Sequence, residues 1–530
     1  MKKKLLFTAL LCAGITGSLF AQDTPDPAIV QKIREEGLSH SQVMDIAFHL
    51  TDVSGPRLSG SPGLKRAQDW AVEKLKSWGM VNAKREDWGK FGKGWEVQKN
   101  YAAMTVPYYH AIIAIPKAWT PSTKGLIKGD VMLVKMDTTA DFDQYKGKLK
   151  GKVIVFDTRP PAEINFTTPN ASRYADSTLE QMANAKLGDP RGGRRGGGPG
   201  GRPGGAPLRR INPVAARAFR EALNKFEVEE GVALILTQAR GTDGTVFTTN
   251  GASYADTAHA VCPELETSAE DFQRILRLTK ANVNVSMEAD IKTEFFAKDL
   301  DGYDVVGEIP GTDPKLKEQL VMIGGHLDSW HGATGGTDNA AGAAVMMEAM
   351  RILKTIGVKP KRTIRIALWS GEEQGEFGSR NYVLNHFADP KDMVLKPEHA
   401  LVSAYYNLDN GTGKIRGIYA QGNTAIMPIF QTWLAPFKDL GAATVTVRNT
   451  GSTDHVPFDA VGLPGFEFLQ DPMDYNSRTH HSNQDTYDKI SEEDLKQAAT
   501  IVASFVYNTS QRAEMMPRKE LPKAGAPQGF

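Results

Sequence analysis

Three apolar runs in the second half of this chain each pass directly into a short segment rich in Gly, His, Asp or Glu, and this pattern restricts the fold more than any other feature. Leu320-Val-Met-Ile323 leads into Gly324-Gly-His-Leu-Asp-Ser329. Thr363-Ile-Arg-Ile-Ala-Leu368 leads into Trp369-Ser-Gly-Glu-Glu-Gln374, and Leu401-Val-Ser-Ala-Tyr-Tyr406 into Asn407-Leu-Asp-Asn410. Short apolar runs bounded by turn residues read as buried strands. The stretch from Ala340 to Ile356 between two of them reads as a helix. Alternating strand and helix is the grammar of an α/β domain, a central sheet covered by helices. Such sheets carry their sites at the C-terminal ends of the strands, where the unusual residues of this chain fall.

The remainder of the 530 residues leaves room for two or three domains. Lys2, Lys3 and Lys4 precede an apolar run from Leu5 that ends near Ala21, which predicts a signal peptide over residues 1–21 and export to the periplasm or the extracellular space. Gly14, Thr16, Gly17 and Ser18 break that run, which makes it too short for a stable membrane span. Residues 22–124 read as the N-terminal part of the main domain, with amphipathic helices over Gln31–Thr51 and Gly63–Trp78. From 125 to 290 the texture becomes β-rich, with strands expected at Val131–Val134, Val153–Phe156 and Val232–Leu236. Inside it, residues 191–207 are almost entirely Gly, Arg and Pro, a composition that cannot bury a core. The catalytic part is expected over 291–512, followed by a mobile tail over 513–530.

The 63 basic and 62 acidic residues nearly cancel, so charge gives no reason to expect a nucleic-acid partner. The Gly/Arg tract lacks interleaved aromatics and reads as a surface linker rather than an RNA-binding segment. Without the leader, Cys262 is the one remaining cysteine, so no intrachain disulfide is available, and its setting in Ala-Val-Cys-Pro reads as packing.

Taken singly, the polar segments have ordinary uses: Asp338 as a helix cap, Glu372 and Glu373 as solvated charge, His326 as a bonded core histidine. Together with Thr479-His-His-Ser-Asn-Gln-Asp-Thr486 they supply a set of two histidines, two aspartates and a glutamate, with a third histidine and further acids beside them. Converging carboxylates need a compensating charge, and no Lys or Arg run lies in these segments. A divalent metal provides it. Imidazole with carboxylate and without thiolate suits catalytic zinc. Five donors are too many for one such ion and suit two ions sharing a carboxylate.

These segments, in this order, resemble the M28 family of zinc peptidases, strongly from about Tyr303 to Ile490. The β-rich middle resembles the protease-associated domain inserted in many members, and the His-His-Ser run resembles the carboxypeptidase Q-like branch. The resemblance implies a zinc-exopeptidase-type central mixed sheet flanked by helices, with the β-rich domain inserted. It implies that His326, Asp338, Glu373, Asp409 and His481 hold two zinc ions, with Asp338 bridging. His481 is taken over His480 because His481-Ser-Asn-Gln-Asp-Thr486 has the family's spacing. Glu372 is implied as general base, and Asp328 as the group that orients the His326 ring. The tyrosine that some members use for the oxyanion is replaced here by Thr450, or by His480 in the other arrangement. His480 and Tyr475 are therefore expected as oxyanion donors, with His455 in a supporting role near the substrate.

The activity implied is exopeptidase cleavage of short peptides. An aminopeptidase comes first, a carboxypeptidase Q-like dipeptidase second, and a glutaminyl-cyclase-type acyltransferase third. Arg448, Arg478 and Arg380 are the cations that a substrate carboxylate would call on. The sequence leaves the oligomeric state open, a homodimer among the arrangements it permits.

Overall fold

A computed structural model describes residues 23–157, 159–161, 165–188, 213–248 and 250–525. The expected signal peptide, the Gly/Arg/Pro tract 191–207 and the last five residues of the chain lie outside the described residues. Two eight-stranded mixed sheets organise the chain. The first has the order Val81–Lys90, Asp301–Ile309, Thr363–Trp369, Leu320–His326, Val402–Asn407, Gly465–Gln470, Ile415–Tyr419, Thr444–Thr446. Its four central strands, from Thr363–Trp369 to Gly465–Gln470, run parallel.

Side-chain alternation along these strands divides the core in two. Val321 and Ile323 share a cluster with the helix Ala341–Thr355 and the helix Glu492–Gln511. Leu320 and Met322 instead pack with Tyr382, Val383 and Phe387 of the region Phe377–Phe387 on the other face. All seven residues of Leu320–His326 are buried. A continuous apolar run is what a parallel strand covered on both faces requires. Each fully buried Val, Leu or Ile contributes about 1.5–3 kcal/mol.

The second sheet has the order His110–Ala111, Gly94–Val106, Ser286–Phe296, Ile127–Val134, Val153–Phe156, Leu234–Gln238, Glu264–Thr267, Ala114–Pro116. It therefore reaches beyond the expected 125–290 limits on both sides, because Gly94–Val106 pairs antiparallel with Ser286–Phe296 along nearly its whole length. Cys262 is buried in a core of this sheet with Val134, Leu149 and Ile235.

Two local expectations are corrected. The helix over Gln31–Thr51 is broken into Pro27–Ser39, Val43–Phe48 and a short turn His49–Val53. At the break, the Ser41 hydroxyl and the Gln42 N–H both donate to Glu348, at 3.0 Å each, so a tertiary partner replaces the helical bonds there. The tail over 513–530 is not free at its start. Met516 is buried, and Arg518 donates to the carbonyls of His399 at 2.9 Å and Val402 at 2.7 Å.

Candidate metal centre

The parallel strands aim their C-terminal ends at one place. His326 is the last residue of its strand, Glu372 and Glu373 follow Thr363–Trp369, and Asp409 follows Val402–Asn407. Asp338 lies in the turn Gly336–Ala340 that opens the helix Ala341–Thr355. His481 sits on the loop after Tyr475–Thr479 with φ of 63°, in the left-handed region. The fold thus gathers all five expected donors from segments spread over more than 150 residues of chain.

Asp338 lies between two groups of donors. Its Oδ1 is 3.3 Å from His326 Nε2, which is also 3.6 Å from Asp409 Oδ1. Its Oδ2 is 3.2 Å from His481 Nε2, which is 2.7 Å from Glu373 Oε2. His480 Nε2 stands farther off, 3.9 Å from Asp338 Oδ2, so His481 is the histidine within reach of both carboxylates. Glu372 Oε2 lies 3.9 Å from His326 Nε2.

These residues fit zinc. Metal–ligand bonds of about 2.0–2.2 Å in tetrahedral geometry put ligand atoms about 3.3–3.6 Å apart, and three of the four separations around Asp338 lie between 3.2 and 3.6 Å. His326 Nε2, Asp338 Oδ2 and Glu373 Oε1 are buried without a hydrogen-bond partner. Groups converging on a shared point, rather than on one another, leave atoms in that condition.

The electrostatics agree. Burial raises the Glu372 carboxyl well above its usual range. Burial, reinforced by Asp338, pushes Glu373 up to about 7. Burial opposes ionisation of Asp338 too, but contact with His326 and His481 holds it well below the ordinary value. Burial would lower His481, yet Glu373 and Asp338 push it up to about 10. Packed anions claim protons in this way unless a cation joins them.

A layer of partners fixes the donors. The acceptor for His326 Nδ1 is the backbone carbonyl of Asp328, at 3.0 Å, while the Asp328 carboxylate is 3.7 Å away. That carboxylate instead receives the N–H groups of Glu372 and Glu373, at 3.3 and 3.4 Å, and the Ser59 hydroxyl at 3.1 Å. Asp328 therefore ties the His326 strand to the Glu372–Glu373 turn, a broader task than ring orientation. Glu467 accepts the Asp409 N–H at 2.9 Å, and Asp485 accepts those of Thr337 at 2.6 Å and Asp338 at 3.1 Å. Arg57 is wholly buried and donates to the carbonyls of Leu50, Leu327, Thr334 and Gly335. It pins both ends of the loop from His326 to Asp338.

Sequence reasoning did not reach Arg57, Glu467 or a role for Asp485. Glu467 left a signal, an acid inside the apolar strand Gly465–Gln470, and Asp485 belonged to a recognised motif. Arg57 lies in the N-terminal segment and left none.

The remaining expected residues divide. Tyr475 is buried, and burial with the charges of Asp338 and Asp409 keeps its phenol protonated far above the usual range. Its ring meets that of His480 at 4.7 Å, and burial with His481 lowers His480 to about 4. His455 is fully buried with Nε2 3.3 Å from the Thr450 carbonyl and Nδ1 3.7 Å from Glu467, so both ring nitrogens face protein groups rather than an open substrate position. Arg478 donates to Thr242, Asp243 and Thr245. Arg380 Nε lies 3.5 Å from Glu376, and Arg448 Nε is buried without a hydrogen-bond partner.

Comparison with known proteins follows the same lines. Residues 304–506 match peptidase family M28. Carboxypeptidase Q of Bos taurus is 26% identical over 531 aligned residues, covering 95% of this chain and 96% of the relative. Aminopeptidase YwaD of Bacillus subtilis is 29% identical over 199 residues, 36% of this chain and 42% of the relative. The crystal structure of a peptidase M28 precursor from Shewanella amazonensis superposes with a TM-score of 0.64 at 23% identity, covering 95% of this chain and 99% of that one. BSAP, a zinc aminopeptidase from Bacillus subtilis, gives a TM-score of 0.52 at 18% identity over 91% and 96%. At these identities the two structures speak to the fold.

Proposed function

Because this chain belongs to peptidase family M28 and is a zinc metallo-exopeptidase, we propose that it holds two zinc ions across Asp338 and hydrolyses short peptides bearing a free α-ammonium group. His326 and Asp409 form one donor set with Asp338, and Glu373 and His481 form the other. The observation that carries this reading is the division of Asp338, with Oδ1 3.3 Å from His326 and Oδ2 3.2 Å from His481. Zinc bound there supplies Lewis acidity to the scissile carbonyl and acidifies water.

Glu372 takes the proton of the attacking water and returns it to the leaving amine. Its neighbour in sequence is a donor, and the Asp328 carboxylate holds the N–H of both, which fixes the base beside the metal. Tyr475, kept protonated, and His480, kept neutral, are the donors proposed for the oxyanion.

Acids beyond the donor set, Glu376, Asp454 and Glu467, are buried around the site; burial raises all three, Glu376 to about 7, so they ionise readily only when a cation joins them. The α-ammonium of a peptide is such a cation and finds carboxyl acceptors there, so aminopeptidase action is the first reading. The full-length similarity to Carboxypeptidase Q, against about a third of the chain for the aminopeptidase relative, favours a second one, hydrolysis confined to free dipeptides. Arg448 is then the cation for the substrate carboxylate. Export directed by residues 1–21 and a protease-associated character for the second sheet belong to the same proposal.

Turnover on an amino-acyl anilide, a free dipeptide and an N-acetylated peptide tests it. Cleavage of the anilide supports an aminopeptidase. Cleavage of the dipeptide alone, with KM raised in Arg448→Ala, supports a dipeptidase. Cleavage of the acetylated peptide at the wild-type rate would overturn the free-terminus requirement.

A further inference from the structure

We infer that the loop Thr242–Thr248, contributed by the second sheet's region, is a positioning element for the His481 donor, so that one half of the metal centre depends on both sheets and the other half on the first sheet alone. This rests on the donor assignment proposed above. The His481 backbone is held in the left-handed region at φ 63°, a conformation that is strained for a non-glycine residue and persists only where neighbours impose it. The neighbour here is Thr248. Its N–H donates to the His481 carbonyl at 2.7 Å, and its hydroxyl donates to the same oxygen at 3.2 Å.

The loop grips the histidine segment on both sides. Downstream, Asn483 donates its N–H to the Val246 carbonyl at 3.1 Å, and its Oδ1 accepts the Val246 N–H at 2.8 Å. Upstream, Arg478 donates to the Thr242 carbonyl at 2.8 Å, the Thr245 hydroxyl at 2.9 Å and Asp243 at 2.6 Å. Thr245 and Thr248 are fully buried. The loop is closely shaped, because a Cβ at Gly241 would meet the Thr245 carbonyl oxygen at 2.3 Å. The donors particular to the other half are held differently, while the shared Asp338 has its N–H accepted by Asp485. Asp409 takes its backbone partner from Glu467 of the first sheet, and His326 takes its own from Asp328.

The test compares Arg478→Gln, Thr248→Ala and Thr248→Ser with His481→Ala, measuring zinc per chain against graded chelator and the unfolding midpoint of the zinc-free protein. Arg478→Gln and Thr248→Ala are expected to release one of two ions at about 10-fold lower chelator, to keep the other at wild-type affinity, and to be restored at position 248 by Ser. If His481→Ala loses one ion while the loop variants bind both as wild type does, the positioning role is overturned and the donor assignment stands. If His481→Ala itself keeps both ions, the donor assignment fails first. Loss of both ions together in Thr248→Ala, with the zinc-free midpoint unchanged, would overturn the one-sided coupling.

Discussion

Replacing Arg57 by Met removes a guanidinium while keeping most of the apolar stem. In the native protein its nitrogens donate to four carbonyls, those of Leu50, Leu327, Thr334 and Gly335, in a setting without solvent exposure. Each buried acceptor left without a partner costs about 1–3 kcal/mol. The Gly335 carbonyl keeps the Ala340 N–H at 3.1 Å, and water entering the space relieves part of the cost at the other three, so the low end applies, a loss of roughly 3 kcal/mol. Burial lowers the guanidinium to about 10, still high enough to keep its charge at neutral pH, and the nearby Asp485 and Asp328 support it. Arg57→Lys retains the charge but not the planar fork, and roughly half of the loss is expected. Equilibrium urea unfolding followed by tryptophan fluorescence reads the change. A loss below about 1 kcal/mol in Arg57→Met, the size of an ordinary surface substitution, would refute the reasoning that this residue pins the His326–Asp338 loop.

Glu372→Gln should lower kcat by about 10²–10⁴-fold with zinc content unchanged, and loss of zinc from that variant would mean that Glu372 is a ligand rather than the base. The hydrogen bond from His386 at 2.7 Å holds Glu86 down to about 2, and the same contact raises His386. The Glu86 contribution is complete above its ordinary value and is lost as pH falls toward about 2, while that of His386 is complete below its ordinary value and is lost as pH rises through its raised one. His386→Ala should therefore cost about 1–2 kcal/mol near pH 6, after allowance for solvent screening, and less at pH 3 or pH 10; a cost that does not vary with pH would contradict the pairing. Burial pushes the Cys262 thiol up to about 12, so thiol reagent at pH 8 should label it only after unfolding, and rapid labelling of the native protein would contradict its placement in the core.

Much of the first sheet was legible in the sequence because parallel strands covered on both faces must be apolar throughout. Leu320–Ile323 could hardly be anything else, Thr363–Leu368 departs from that pattern only at the half-buried Thr363 and Arg365, and the polar segments behind them followed from the rule for strand ends. The second sheet was less legible. Gly94–Val106 alternates poorly and carries Lys99, Asn100 and Tyr101 in mid-strand, so its pairing with Ser286–Phe296 is decided by a partner almost 200 residues away. The donors announced themselves as a cluster of residue types that cannot be buried together unpaired. Their supports did not, since Arg57 acts through backbone carbonyls and Thr248 through an N–H, contacts that leave no mark on the residues they hold. The break at His40 was invisible for the same reason, its cause being Glu348 on another helix.

Anomalous diffraction at the zinc edge, on crystals of the protein purified with its metal, tests the shared-carboxylate centre most directly. Two peaks about 3.5–4 Å apart, one against His326 and Asp409 and the other against Glu373 and His481 with Asp338 between them, are the predicted result. A single peak, or peaks away from Asp338, would contradict it.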